Sequence, residues 1–241
     1  MADNNKLIFF FCPEAGVTPH YATHCIVGRT LSEMGHKVLL TYCYQTFERC
    51  PVMDMHQLPY DLDPATKKDV CDKCAGNSRG MLDAYGLQGI KLQEIVTPRI
   101  TNEIDRLVSD MPQDLRTFTY ESIRFGNACA HDVVLAAKKY NFDKLDAETR
   151  FIWLTYIKSS LLGYLIVKQV CSGLPVGALV HFNDYSLMLA ARFAALKHHI
   201  PAYSMTWAPH KGVDFQRLAI SPTIWRNAIF RPIQRLYVWR D

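Results

Sequence analysis

Residues 9–38, FFFCPEAGVTPHYATHCIVGRTLSEMGHKV, decide how this chain folds. From Leu7 to Phe11 the sequence is continuously apolar, as a strand buried on both faces of a parallel sheet must be. After a loop running from Cys12, the apolar positions Ile26, Val27, Leu31 and Met34, together with Thr30, recur at three- and four-residue spacing. That spacing predicts a helix with one face laid on the sheet. Thr18 is placed to cap it, and Pro19 suits its first turn, where no backbone N–H is needed. Gly35 supplies the left-handed residue that ends the helix, and Lys37-Val-Leu-Leu-Thr41 resumes the sheet. A β-loop-α-β opening of this kind predicts an open α/β sheet. In such sheets ligands bind outside the carboxyl ends of the strands, where a helix start offers free N–H groups and a positive dipole end.

Working outward, residues 42–63 read as a loop with Pro51 and Pro59. A helix is expected over 64–85, interrupted at Gly76 and Gly80 and stopped by Gly86. A short strand is expected over 92–97, helices over 99–111 and 120–140, and a long helix capped by Asp146 and ending near Ser172. Residues 176–182 form a buried strand, 185–199 a helix and 201–207 another strand. A loop follows, then a short strand over 217–220 and a helical tail over 222–238. Strands alternate with helices at both ends of the chain and helices fill the middle. The expected fold is therefore one α/β domain over 1–241, a doubly wound, mostly parallel Rossmann-like sheet with a helical insertion over roughly 99–172.

Composition narrows the classes. Hydrophobic residues make up 49% of the 241 and charged residues 21%, as in a globular protein, and the net charge is +4. No basic stripe interleaved with aromatics appears, so nucleic acid is not an expected partner. Residues 1–5 lack a basic leader and the apolar run after them is short, so no signal peptide is expected. Residues 151–170 are interrupted by Lys158 and Lys168 and read as a buried or surface-lying helix. A cytoplasmic location follows, where eight cysteines stay unpaired. Arg217, Arg226, Arg231, Arg235 and Arg240 either form a solvated face or meet lipid phosphates in a peripheral membrane contact at the inner face.

Several residues carry candidate chemistry. Cys71 and Cys74 form a C-x-x-C, preceded by Cys43 and Cys50. Four thiolates would make a tetrahedral structural zinc site, and the competing reading is four packed thiols. Cys12, Cys25, Cys129 and Cys171 fall in apolar patterns and read as buried free thiols. His20 lies in the helix's first turn, where the dipole favours a neutral imidazole able to act as a base; the competing role is structural. Glu14 is a second candidate base. Asn183-Asp184 follows a strand and so reaches the same rim as Gly16. Asp184 either orients a hydroxyl or a histidine, or caps the next helix. Tyr203 and Trp207, with His210 and Lys211 after them, would set aromatic faces beside polar groups, which suits sugar rings. No G-x-G-x-x-G opens the first loop and no acid ends the second strand, which argues against a nicotinamide-dependent oxidoreductase.

The strand, the loop with Gly16 and His20, and then Met34-Gly-His-Lys-Val38 resemble the N-terminal domain of two-domain, GT-B-type glycosyltransferases. Cys43, Cys50, Cys71-x-x-Cys74 and Leu82-x-x-x-Gly86-Leu87 resemble, more narrowly, bacterial members that build surface and capsular polysaccharides. The resemblance implies an acceptor-binding half, with His20 taking the proton of an acceptor hydroxyl. It implies a glycan or lipid-linked acceptor, and a nucleotide-sugar donor held by a C-terminal domain or partner subunit that this sequence lacks. A Gly-Gly pair found in retaining relatives stands here as Ala15-Gly16, which leaves the stereochemistry open. The alternative is a non-catalytic, zinc-stabilised accessory subunit of a separate transferase.

Overall fold

The computed structural model describes residues 6–139, 142, 145–207 and 218–222. The opening unit folds as its pattern requires: β1 (Leu7–Phe11), α1 (Thr18–Glu33) and β2 (Lys37–Tyr42). Next come α2 (Pro51–Met55), α3 (Pro64–Tyr85), β3 (Gly89–Lys91), α4 (Leu92–Ile95) and α5 (Pro98–Ser109). After a short 3-10 turn at Leu115–Thr117 follow α6 (Phe125–Ala137), α7 (Ala147–Gly173), β4 (Val176–Phe182), α8 (Ser186–Lys197), β5 (Ala202–Trp207) and β6 (Leu218–Ser221). One six-stranded sheet, in the order β3-β2-β1-β4-β5-β6, holds strands from both ends of the chain. All pairings are parallel except β5 with β6.

That order makes the sheet doubly wound. From β1 the chain steps one way to β2 and β3, and from β4 it steps the other way to β5. Right-handed crossovers moving in opposite directions put their helices on opposite faces, so α1 covers one side and α8 the other. The two halves meet between β1 and β4, where Phe9 pairs with Leu179 and Phe11 with His181. This Rossmann-like α/β architecture is the expected one, with the helix-rich middle, α5 to α7, placed between β3 and β4.

Local signals explain most elements. Asp63 accepts from Ala65 N–H (3.0 Å) and Thr66 N–H (2.9 Å) to start α3, and Gly86 ends it in the left-handed region at φ 61°. Gly76 and Gly80 do not interrupt it. Asp146 caps α7 through Thr149 N–H (2.8 Å). By length and composition α7 is long and apolar enough to cross a membrane, yet 72% of its apolar window is buried inside the fold, which is the burial of a core helix. Gly35 adopts φ 88°, and a Cβ there would meet nothing within 4 Å. Gly35→Ala should therefore lower stability by about 1 kcal/mol through backbone strain alone, measurable by urea denaturation.

Four readings need correction. Thr18 lies inside α1, whose N-cap is Val17 without a side-chain bond. The buried face of α1 is Tyr21, His24, Cys25 and Gly28, while Ile26 and Met34 are exposed, because Gly28 brings the helix down close to Leu40 and Val38 of β2. Residues 92–95 are a helical turn, the strand being Gly89–Lys91 just before it. Residues 51–55 form a short helix started by Pro51. The expected tail over 222–238 lies outside the described residues from 223 onward.

Candidate functional site

The loop after β1 is fastened on three sides. Cys12 N–H donates to Thr41 Oγ1 (2.9 Å), Thr41 Oγ1 donates to Phe10 O (3.0 Å), and Tyr21 OH reaches Thr41 O (3.3 Å). From α3, Asn77 Nδ2 donates to Ala15 O (2.6 Å), and Gly16 N–H donates to Cys74 Sγ (3.1 Å). A Cβ on Gly16 would lie 2.5 Å from Val52 Cγ1, so the glycine permits that close approach. The fastening turns Glu14 inward, where it is wholly buried with its Oε1 2.9 Å from His24 Nε2. Burial pushes the Glu14 carboxyl up, against the His24 hydrogen bond that pulls it down.

One helical turn before His24, the His20 ring stacks on Phe182, with centroids 4.1 Å apart and planes 23° apart. Burial, then the neighbouring His24, lowers its pKa to about 4. His20 is thus neutral near pH 7, with burial rather than the helix dipole as the largest cause. Its ring makes no hydrogen bond to another described residue. It faces a cleft of about 580 Å³ at the carboxyl edge of the sheet. Val17 and His20 border this cleft after β1 and Tyr185 after β4, so it opens at the point where the strand order reverses.

The opposite wall comes from residues not singled out in the sequence. Arg49, 4% exposed, donates from Nε to Asp54 Oδ1 (2.6 Å) and from a terminal nitrogen to Pro59 O (3.0 Å), and lies 4.0 Å over the Tyr60 ring. Tyr60 OH and Tyr156 OH are 3.0 Å apart. Burial raises both phenols, so they stay protonated and can donate. Burial also raises the Asp54 carboxyl, partly offset by Arg49. From α6, Asp132 Oδ2 accepts Ser186 N–H (2.7 Å), crossing between elements to cap α8. Met55, Leu58, Leu135 and Ala136 add an apolar surface. Arg49→Met would leave Asp54 without its cation and should cost about 2 kcal/mol. Adding Asp54→Asn should restore part of that, read from paired urea melts.

Among the described residues, the remaining candidates lie outside the lining of this cleft, although Cys43, Cys50, Cys71 and Cys74 lie near enough to act on one another electrostatically. Asn183, at φ 58°, is consumed by the fold: its N–H donates to Met205 O (2.8 Å), and its Oδ1 accepts from Thr206 Oγ1 (2.9 Å). Asp184 is buried beside Arg192, which it stabilises in charged form, and it does not cap α8, whose N-cap is Tyr185. Tyr203 lies on β5, paired with Val180, away from the cleft lining. The backbone of Trp207 pairs with Leu218. His210, Lys211 and the five arginines from Arg217 onward lie outside the described residues. Cys43, Cys50, Cys71 and Cys74 are all buried free thiols, and burial pushes Cys43, Cys50 and Cys74 up to about 12. Among the described residues no group of three or more His, Cys, Asp or Glu is arranged to hold a metal ion. As they stand here, the four thiols pack as uncharged small groups, and Cys74 accepts a hydrogen bond from the loop. Cys12, Cys25 and Cys129 are buried and Cys171 half-buried, all four free.

No protein-family model matches the chain, and no curated protein matches it. A solved structure of a CDPS, a cyclodipeptide synthase, from Fluoribacter dumoffii is similar with a TM-score of 0.49 and 10% identity, over 92% of this chain and 94% of that one. Likeness at that level says nothing about what this chain binds. No family or curated match supports the glycosyltransferase expectation, which is withdrawn. With it go the glycan or lipid-linked acceptor and the role of accessory subunit to a transferase, and the nucleotide-sugar donor loses its support. The physical reason is visible in the loop: packing accounts for Gly16, and helix termination accounts for Gly35. Neither needs a sugar.

Proposed function

We propose that this chain binds a small organic molecule in the cleft between the β1 and β4 loops, with the neutral His20 ring accepting a hydrogen bond from it. One observation carries the reading: an imidazole with no other described hydrogen-bond partner lies on the wall of a ligand-sized cleft at the reversal of strand order. The cleft sorts its chemistry by side. Met55, Leu58, Leu135 and Ala136 suit an apolar or aromatic body, while His20, Tyr156 and Tyr60 suit a hydroxyl or amine. Arg49 and Lys138 balance Asp54 and Asp132 around the cleft, so the ligand is compact and close to neutral. Eight thiols, all free, support a reducing, cytoplasmic setting.

The test is a ligand-observed NMR screen of phenols, aryl alcohols and aryl amines against the wild type and Ala136→Trp, whose indole fills the cleft. Hits should weaken at least tenfold in the tryptophan variant and shift the His20 ring signals. Hits that survive the variant unchanged, or an absence of hits, would overturn the assignment.

A further inference from the structure

The wall opposite His20 holds a donor that the binding of a hydroxyl or amine leaves unused. The side chain of Arg49 is 4% exposed, and its guanidinium is fixed on three sides. Nε donates to Asp54 Oδ1 (2.6 Å), Nη1 donates to Pro59 O (3.0 Å), and the Tyr60 ring covers one face at 4.0 Å. Tyr60 is held in turn by Tyr156 OH (3.0 Å), and the backbone N–H of Arg49 donates to Ser159 Oγ of α7 (3.2 Å). A guanidinium is planar with its donors at fixed angles, so locking two of its nitrogens fixes the direction of the third.

Beyond the Tyr60 ring beneath it, that third nitrogen, Nη2, meets no partner among the described residues. Nor is it among the buried atoms left unpaired, so it is open to solvent. Arg49 borders the cleft and, beside it, a recess of about 10 Å³ that is too narrow for an organic group. A ligand therefore reaches Nη2 from the cleft.

Charge decides which acceptor suits it. Asp54 already pairs with Arg49; burial raises the Asp54 carboxyl, and Asp132 lies near enough to raise it further. A carboxylate placed on Nη2 would add another anion beside those two. A neutral carbonyl takes the same charge-assisted hydrogen bond without that repulsion.

We propose that Arg49 Nη2 sets the specificity of the cleft by donating to a carbonyl oxygen, and that the ligand is a neutral aryl ketone or aryl amide carrying a hydroxyl or N–H. Its donor group goes to His20, its ring lies on Met55, Leu58, Leu135 and Ala136, and its carbonyl takes Nη2. Because Arg49 is held in place before binding, the bond forms without the cost of ordering a long side chain. The inference rests on the proposed binding in the cleft, and it adds the acceptor that the ligand must carry.

The experiment is an NMR titration with three matched phenols. They are 4-hydroxyacetophenone, 4-isopropenylphenol, in which a methylene replaces the carbonyl oxygen, and 4-hydroxybenzoate, which adds a negative charge. Each is titrated into the wild type, Arg49→Lys and Ala136→Trp. Lysine keeps the charge beside Asp54, but its single ammonium cannot also serve Pro59 and the cleft. The wild type should bind the ketone about tenfold more tightly than either of the others. In Arg49→Lys the preference for ketone over alkene should vanish while the alkene keeps its affinity. Equal affinities for ketone and alkene in the wild type overturn the inference even if the variant does not fold. Tightest binding of the benzoate overturns it too, and so does a ketone preference that survives in folded Arg49→Lys. The outcomes also separate the two readings. Equal binding of ketone and alkene that weakens in Ala136→Trp keeps the cleft and discards the role of Arg49. Binding of none of the three, or binding unchanged in Ala136→Trp, discards the cleft and the inference with it.

Discussion

Gly126→Ala should lower stability by about 4 kcal/mol or leave the protein unfolded, although it adds one methyl group. A Cβ there would lie 1.9 Å from Leu115 O and 2.7 Å from Arg116 C and O. Those are backbone atoms of the 3-10 turn, with no flexible side-chain end to swing away. The same glycine is tied on both sides: its N–H donates to Phe118 O (3.1 Å), and its carbonyl accepts from Trp153 Nε1 (3.0 Å). Relief would therefore break two bonds and move α6 off α7, opening the wall that carries Asp132 and Tyr156. Gly76→Ala is the control, because a Cβ in that exposed stretch of α3 meets nothing within 4 Å. It should be neutral to stabilising by up to about 1 kcal/mol. Urea denaturation of both variants checks the pair, and a near-neutral Gly126→Ala would refute the contact.

The second large effect is on acid stability. His181 is wholly buried in β4, and its Nδ1–H donates to Asn183 O (2.8 Å), which leaves Nε2 as the bare nitrogen, without a partner. Burial, then Arg192 and His24, lowers its pKa to about 3 from an ordinary 6.5. The sign follows from proton counting. Below about pH 6.5 the unfolded chain binds a proton at this position that the folded chain refuses, so stability falls as pH falls. The loss continues until the folded form also protonates, near pH 3, and amounts to on the order of 4 kcal/mol from this one residue. Above pH 7 His181 contributes no slope. In His181→Leu the slope of unfolding free energy between pH 6 and pH 4 should be shallower by about 1 kcal/mol per pH unit. His20 acts in the same direction and Glu14, whose carboxyl is raised, in the opposite one, but both are common to the two proteins and cancel in the comparison. Parallel slopes in urea melts at stepped pH would show that His181 is already solvated in the native state.

Much of the frame was legible in the residues because it rests on short-range signals. Gly86 closes α3 and Asp146 opens α7, each through a bond to a backbone group a few residues away. The apolar runs of β1, β2 and β4 read as buried strands for the same local reason. The buried face of α1 did not, because it is chosen by where Gly28 lets the helix touch β2, a long-range fact. Strand Gly89–Lys91 was missed because its three residues are too few to show a period, and the apolar turn after it resembled a strand better. The cleft is harder still. Its wall gathers Arg49 and Tyr60 from a stretch that reads as loop, Asp132 from α6 and Tyr156 from α7. One clue was present: Phe125, Cys129, Asp132 and Val133 share the buried face of α6, and a carboxylate at a core position of a helix demands a polar partner. Glu14 carried no such clue, since only the folded loop turns it beneath α1.

The place of β1 in the sheet also bears on how the protein is made. Its β2 neighbour is synthesised within a few dozen residues, but β4 emerges only after α7, far along the chain. Until then a growing polypeptide on the ribosome carries a hydrophobic strand with one side of its backbone unpaired, the kind of edge that recruits other chains. Slowing translation across α7 should raise the aggregated fraction of the nascent protein, and a trigger-factor-type chaperone supplied in excess should lower it.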